Sequence, residues 1–231
     1  MDNQDQMKLY TSNMAEQLTP EQQRQMYIQE FMGSNILQVP SLEDLTTYWN
    51  NNLLREPDLQ FDIDVRSNHG LTALLWYAGT VNNISCIPHL IFLLNNGANL
   101  QATIIVNANV QLNALHFACI ANNILHIIFF LHLGFVIQTW NQYVIIIALQ
   151  NNLTDANITS YIQEVTNVVS VVNLQIPGEG PNKIIFIRNL ILERIQLYEQ
   201  QHNLPAFNNN QLNKKYLKYK AKYLQLKNQL N

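Results

Sequence analysis

Charged side chains are scarce in this chain of 231 residues. Its 13 basic and 16 acidic residues make up 13% of the sequence, against roughly 25% in an average soluble domain. Only two cysteines are present, which excludes a disulfide framework. Seven glycines, seven prolines and 10% aromatic residues exclude a collagen-like, low-complexity or wholly disordered chain. The length and the 48% of hydrophobic residues therefore suit one domain, or a domain with appendages.

The few charges are concentrated at the two ends of the sequence. Residues 1–66 carry 11 acidic and four basic side chains, whereas residues 67–176 carry two acidic side chains and no basic one. Charges balance over residues 177–207, and the last 24 residues hold six lysines and no acid. In the uncharged middle, asparagine supplies the polar surface, since the chain has 32 Asn. A contact with a polyanion is therefore expected at the basic tail alone.

Signals for a compartment are few. The first residues are polar and acidic, without the apolar region of a secretory signal or the arginine-rich pattern of a transit peptide. The most apolar stretch, Ile124 to Ile137, has 14 residues and is interrupted by His126 and His132, short of the ~20 that a membrane span needs. It predicts a buried helix. We expect a cytoplasmic or nuclear protein with no transmembrane span.

Two helix start signals lie near the N-terminus. Thr19-Pro20-Glu21 combines an N-cap residue, a proline at the first helical position and an acid in the first turn, which predicts a helix from about Pro20 to Met32 that stops at Gly33. Ser41 followed by Asp44 repeats this logic and predicts a second helix to about Arg55. Residues 1–40 are interpreted as a separate N-terminal helical segment.

A recurring pattern begins at about residue 62. One copy opens at Gly70-Leu71-Thr72-Ala73-Leu74 and closes at Asn96-Gly97-Ala98-Asn99. A second opens at Asn113-Ala114-Leu115-His116 and closes at Gly134. This pattern resembles the ankyrin repeat, whose units open with G-x-T-P-L-H and close with G-A-D/N. The resemblance implies an all-α fold in which pairs of short antiparallel helices stack into a solenoid.

The resemblance also implies a domain organisation. The clearest units are 67–102 and 107–138, inside an ankyrin-like repeat region at 41–205. The opening and closing positions are 25 residues apart in the first unit and 21 in the second, so about four residues are inserted around Val81 to Cys86. Degenerate units are expected on both sides, and a further helix is predicted from Ile184 to Tyr198. Proline is replaced by alanine at both T-P-L-H positions.

Two β-branched strings would by themselves predict strands. They are Thr103 to Val106 and Tyr143 to Ile147. From their positions in the repeat, we assign the first string to the long connection between two units, called a finger in ankyrin-type proteins. We assign the second string to a helix.

Partner-binding positions follow from the resemblance alone. In ankyrin-type proteins the finger tips and the first helices of the units meet the partner along a concave face. In this chain those positions are Arg66, Asn68, His69, Leu100, Gln101, Asn109, Trp140 and Gln142.

Residues 206–231 are interpreted as a linker and a basic amphipathic helix. The residues Leu212, Tyr216, Tyr219, Tyr223, Leu226 and Leu230 follow a heptad spacing that is typical of a coiled-coil seam. Self-association through 212–230, docking on a protein, and contact with nucleic acid or an anionic membrane all remain open for this tail. The side chains that would carry such contacts are Lys214, Tyr216, Lys218, Tyr219, Lys222 and Tyr223. The Lys- and Tyr-rich string resembles the C-terminal tail of many proteins of mimivirus-type giant viruses.

Sites for chemistry are few. Cys86-x-x-His89 and His116-x-x-Cys119 offer four nitrogen and sulfur ligands at spacings that suit zinc. The repeat resemblance instead gives His116 a structural hydrogen bond in the turn and places Cys119 in the core, so no metal or other cofactor is predicted. The motifs of serine hydrolases, zinc proteases, nucleotide-binding loops and kinases are absent from the sequence.

The sequence therefore predicts a non-enzymatic protein-protein interaction module, acting as a viral adaptor on a host or viral protein. One alternative is a self-assembling virion or scaffold component that uses the tail. A second alternative is a zinc-binding or metalloenzyme domain.

Overall fold

The computed structural model describes residues 18–32, 39–80, 85–107, 110–168 and 174–204. These residues are mainly helical and include one two-stranded sheet. The predicted all-α class is thus confirmed in its helical content, and the short sheet is a departure from it. No helix in the described ranges combines the length and the apolar character needed to cross a bilayer.

Nine α-helices, one 3-10 helix and two strands follow one another along the described ranges. They are α1 Pro20–Met32, α2 Leu42–Leu54, the 3-10 helix Pro57–Leu59, α3 Ala73–Ala78, α4 Ile87–Asn95, β1 Thr103–Asn107, β2 Val110–Asn113, α5 Ala114–Ile120, α6 Ile124–His132, α7 Trp140–Asn152, α8 Asp155–Thr166 and α9 Pro181–Gln201.

Side-chain caps begin the first two helices, as the sequence predicts. The Ser41 hydroxyl accepts the N–H of Asp44 at 3.0 Å, and the Asp44 carboxylate accepts the N–H of Ser41 at 3.3 Å. Thr19 and Gln22 form the same reciprocal pair before α1. Each cap satisfies an N–H group that has no partner inside the helix. The predicted stop of α1 at Gly33 lies outside the described residues.

Helices α4 and α6 end in the same way, at the closing glycines of the two predicted units. Gly97 and Gly134 have φ of +91° and +93°, a left-handed conformation that glycine adopts without a steric cost. The N–H groups that follow donate back into the helices, from Ala98 to Leu93 and from Phe135 to Phe130, both at 3.0 Å. This is the Schellman arrangement, which pairs carbonyl groups that a helix end leaves free.

The two helix pairs differ in the link between their helices. Residues 79–86 separate α3 from α4, whereas only residues 121–123 separate α5 from α6. The longer link coincides with the insertion predicted around Val81 to Cys86. Of these residues, 81–84 lie outside the described part of the chain.

Both β-branched strings lie where the sequence assigns them. Thr103 to Val106 belongs to β1, which pairs antiparallel with β2 and places Ile104 opposite Leu112. Tyr143 to Ile147 lies inside α7, whose first turn is capped by Thr139. Burial in a helical core outweighs the weak β-propensity of this second string. The predicted helix at Ile184 to Tyr198 is also confirmed, as part of α9.

Neighbouring helix pairs pack side by side. On one side α1 contacts α3, α3 contacts α5 and α5 contacts α7. On the other side α2 contacts α4, α4 contacts both α6 and α8, and α6 contacts α8. Helix α9 packs against α6, α7 and α8. The connections between successive pairs are thereby brought to neighbouring positions.

A single apolar core runs through these helices. The stretch around α6 is deeply buried, as its composition predicts, with Ile127 to Leu131 fully inaccessible. Phe31 of α1 is also fully buried, 5.7 Å from the ring of Trp49 and 5.4 Å from that of Phe61. Helix α1 lies in the segment interpreted as separate, and it nevertheless shares this core.

Candidate interaction surface

Three connections between helix pairs lie next to one another. We call them the first finger (61–72), the second finger (96–113) and the third finger (133–139). The Asp64 carboxylate accepts the N–H of Asn99, with both oxygens at 3.0 Å, which ties the first finger to the second. The Asn113 side-chain amide donates to the Gln138 side-chain oxygen at 3.2 Å, which ties the second finger to the third.

Arg66 strengthens the contact between the first two fingers. Its guanidinium donates to the carbonyl of Gly70 at 2.6 Å, within the first finger, and to the carbonyl of Thr103 at 3.0 Å, in the second. Gly70 has φ of +75° and lies against the side chain of Ile104. Consequently the first finger partly covers the face of the hairpin that carries Ile104, which is half-buried.

Apolar side chains elsewhere on this hairpin remain open to solvent. Ile105 is 67% exposed, Val106 58% and Val110 40%. Ile105 pairs across the hairpin with Gln111, on the face opposite to that of Ile104. The third finger has only seven residues, none of them in a strand, so it is too short to form a second hairpin beside this one. The second finger thus presents three exposed apolar side chains, which we call the hairpin surface (Ile105, Val106 and Val110).

Most of the predicted partner-binding residues are accessible on or near the fingers. Arg66, Asn68, His69, Gln101 and Trp140 are exposed, and Leu100 is half-buried. Asn109, between the two strands, lies outside the described residues. The basic tail, including Lys214, Tyr216, Lys218, Tyr219, Lys222 and Tyr223, lies outside them as well.

Gln142 is the predicted contact residue that the structure contradicts. Its side chain is only 1% exposed, so it cannot reach a partner. The Gln142 side-chain oxygen accepts the N–H groups of Gln138 at 2.8 Å and Thr139 at 3.1 Å. The prediction was wrong because Gln142 is the third residue of a helix capped by Thr139, and this reciprocal cap turns its amide inward.

Sequence reasoning missed the apolar part of the surface. Ile120 at the end of α5 and Val136 in the third finger are exposed in addition to the hairpin surface. The available signal is the β-branched string at 103–106, whose position in the repeat predicts a finger but does not indicate which of its side chains face solvent. Contiguous apolar patches that remain exposed mark interaction sites, which makes such a run at the tip of a connection a candidate contact.

No family model, curated protein or solved structure matches this chain.

The four zinc-spaced residues do not converge on one point. The His89 Nε2 atom lies 2.8 Å from the Pro40 carbonyl, and the His116 Nδ1 atom lies 2.7 Å from the Asn113 side-chain oxygen, within the cap of α5. Cys86 and Cys119 are buried. Burial raises the pKa of the Cys119 thiol to about 12 and raises that of Cys86 as well, which keeps both thiols protonated at neutral pH. Within the described ranges, no three His, Cys, Asp or Glu side chains are grouped to hold a metal.

His126 is the most deeply placed titratable group among the described histidines. Its Nε2 atom accepts the N–H of Cys86 at 2.8 Å, and its Nδ1 atom lies 3.2 Å from the Ala78 carbonyl, to which Nδ1–H donates. Burial lowers the pKa of this imidazole to about 4. The ring therefore stays neutral at pH 7 and joins the end of α3 to the start of α4.

Other buried polar groups are also paired between helices. The Tyr143 hydroxyl donates to the Glu199 carboxylate at 2.8 Å, and the Tyr161 hydroxyl lies 2.7 Å from the Nδ1 atom of His132. Burial raises the pKa of both tyrosines and lowers that of His132. These pairs cross-link helices: Tyr143, Glu199 and Tyr161 are buried, and His132 is half-buried.

Proposed function

We propose that this chain is a non-enzymatic protein-protein interaction module of the ankyrin-repeat type, which binds its partner through the hairpin surface. Three observations support the repeat assignment: the alternating contacts of successive helix pairs, the shared closing turns at Gly97 and Gly134, and the finger between them. The Lys- and Tyr-rich tail further suggests that the chain acts as a viral adaptor on a host or viral protein.

The exposed hairpin surface is the observation that carries this proposal. Fully burying one Val or Ile side chain contributes roughly 1.5–3 kcal/mol to association. Ile105 and Val106 stand more than half exposed on a hairpin whose Thr103 carbonyl accepts a hydrogen bond from Arg66. Exposed apolar side chains of this kind offer binding energy that folding has not used.

The scarcity of charged side chains at the hairpin indicates the chemistry of the partner. Residues 67–154 contain no Asp, Glu, Lys or Arg, so the hairpin surface has no ionic groups of its own, although Arg66 and Asp64 of the first finger bond to backbone groups of the second. At the hairpin surface itself, recognition therefore depends on apolar contact and shape, and the partner presents an apolar surface there. Such binding responds weakly to ionic strength, because salt screens charges and leaves apolar burial largely intact.

Affinity capture from cell extract, with variants of the intact chain as bait, tests this proposal. Ile105→Ser combined with Val106→Ser removes the apolar tip while changing only exposed positions. We expect this variant to lose at least tenfold in partner recovery. Ile185→Ser is the matched control, since Ile185 is also more than half exposed but belongs to α9 and not to a finger. Equal recovery by all three baits would refute a role for the hairpin surface.

A further inference from the structure

The turn that follows α4 contains a chemically reactive pair of residues. The chain has 32 asparagines, and Asn96 is the only one that a glycine follows. Asparagine is a thermolabile residue, because the backbone nitrogen of the next residue can attack its side-chain amide. A following glycine leaves that nitrogen the most accessible, since glycine has no Cβ atom and a wide range of backbone conformations. Both Asn96 and Gly97 are exposed, so water reaches this turn.

The reaction open to this pair is deamidation, which consumes one water and releases one ammonia. The Gly97 backbone nitrogen bonds to the side-chain carbonyl carbon of Asn96, and the side-chain nitrogen leaves as ammonia with the proton that Gly97 gives up. Water then opens the resulting five-membered imide at one of its two carbonyl groups. Opening at one carbonyl gives aspartate, and opening at the other gives isoaspartate, in which the backbone continues through the former side chain.

The native turn engages both the attacking nitrogen and the amide that it would attack. The Asn96 side-chain nitrogen donates to the Phe92 carbonyl at 2.8 Å, and the side-chain oxygen accepts the indole N–H of Trp49 at 3.0 Å. The N–H of Gly97 donates to the Leu94 carbonyl at 3.1 Å. The reaction therefore has to wait until the turn opens locally.

Trp49 makes the protection of Asn96 depend on a neighbouring helix. It lies on α2, where its ring is buried against those of Phe31 and Phe61, and its bond to Asn96 reaches the end of α4. The bonds to Phe92 and Leu94 lie within the last turn of α4, and helix ends fray at a low free-energy cost. The bond from the buried indole should therefore control how often the Asn96 amide is released.

Either product of the reaction would weaken the turn. A carboxylate at position 96 has no N–H to donate to the Phe92 carbonyl, so two acceptors would face each other at this place. Its negative charge would also lie at the C-terminal end of α4, where the helix dipole disfavours an anion. Isoaspartate adds one backbone atom before Gly97, which would displace the Ala98 N–H from the Leu93 carbonyl.

We propose that Asn96 is a site of spontaneous deamidation, that the bond from Trp49 limits its rate, and that its products loosen the turn from which the second finger begins. The change is not reversed by the protein, so it accumulates with the age of the chain. It goes beyond partner binding and does not depend on it, because it concerns the backbone at 96–97 and not the exposed side chains of the hairpin.

Peptide mapping by mass spectrometry, on the full chain incubated under mildly alkaline conditions, tests this proposal. The peptide that contains Asn96 should gain the mass difference between an amide and an acid earlier than the peptides of other asparagines. Trp49→Phe keeps an aromatic ring and removes the indole N–H, and it should accelerate the reaction at Asn96 by about threefold or more. Phe31→Leu is the matched control, since it alters the packing of the same ring without removing that N–H.

A urea-unfolded sample gives the rate of an unprotected Asn96. The folded chain should react more slowly than this sample but still detectably. Equal rates in the two samples, or a folded chain that stays unmodified at Asn96 while the unfolded sample reacts to completion, overturn the proposal. Equal acceleration by Trp49→Phe and Phe31→Leu also overturns it, because general loss of stability would then control the rate.

The effect of the product on the turn has a test of its own. Asn96→Asp reproduces one product, and its midpoint of thermal unfolding should lie about 2–4 °C below that of the wild type. Asn99→Asp is the control, since it adds the same charge to an exposed position beyond the helix end. A midpoint of Asn96→Asp equal to that of the wild type would refute the proposed loosening of the turn.

Discussion

At the residue scale, His126 joins two helix pairs from inside the core. It belongs to α6, yet both of its ring nitrogens bond to backbone groups of the preceding pair, at Ala78 and Cys86. Asn123 assists by donating its side-chain amide to the Thr80 carbonyl at 3.2 Å. The longer link between α3 and α4 is thus held at both of its ends by side chains of the next helix pair, His126 and Asn123.

We predict that His126 makes the stability of the chain sensitive to acid. Its pKa is lowered to about 4 in the folded state by burial, whereas an unfolded histidine titrates near 6.5. Between these values the unfolded chain binds a proton that the folded chain does not. Stability is therefore complete above about pH 6.5 and falls as the pH drops toward 4, by up to about 1.4 kcal/mol per pH unit.

Urea denaturation of His126→Gln at pH 7 and pH 5 checks this prediction. The variant is expected to be less stable than the wild type at pH 7, and this difference should shrink by about 2 kcal/mol at pH 5. Burial raises the pKa of Glu30 and Glu164, an effect of opposite sign that is present in both proteins. His69→Gln controls for the loss of an exposed imidazole. A difference that is the same at both pH values would contradict the assignment.

At the element scale, the closing turns of α4 and α6 determine where each finger begins. Gly97 and Gly134 occupy equivalent positions, and a Cβ atom at either would meet no neighbouring atom within 4 Å. The requirement for glycine is therefore conformational and not steric. It follows from the positive φ that lets the chain leave the helix and enter the finger.

Substitution of Gly97 should therefore report the free-energy cost of a left-handed backbone conformation, without a contribution from side-chain clashes. We predict that Gly97→Ala lowers the free energy of unfolding by about 1 kcal/mol, and that Gly97→Asn lowers it less, because asparagine tolerates the left-handed region better. The same order is expected at Gly134. Thermal denaturation measures both pairs, and an alanine variant as stable as the wild type would show that the turn can relax.

Local signals explain which elements could be predicted from the sequence. The starts at Pro20 and Ser41 and the turns at Gly97 and Gly134 depend on residues within a few positions of one another. By contrast, the bonds of His126 depend on contacts about 40 residues apart. The inward turn of Gln142 required recognition of its cap with Thr139. The exposure of Ile105 depends on the short third finger, whose consequence for the hairpin appears only in three dimensions.

At the scale of the whole molecule, the uneven charge separates two kinds of surface. The hairpin surface lies in the stretch without charged residues, whereas the exposed residues of α2 lie among the acidic residues near the N-terminus. Partner binding at the hairpin should therefore persist at an ionic strength that screens contacts made by the charged ends of the chain.

Site-specific photocrosslinking tests the central claim, that the hairpin surface binds a protein partner. A photoreactive amino acid replaces Val106 in one variant and Ile185 in a second, both at exposed positions. The account predicts a discrete crosslinked species from position 106 in cell extract, retained at about 500 mM salt, and none from position 185. No crosslink at position 106, or the same products from both positions, would contradict it.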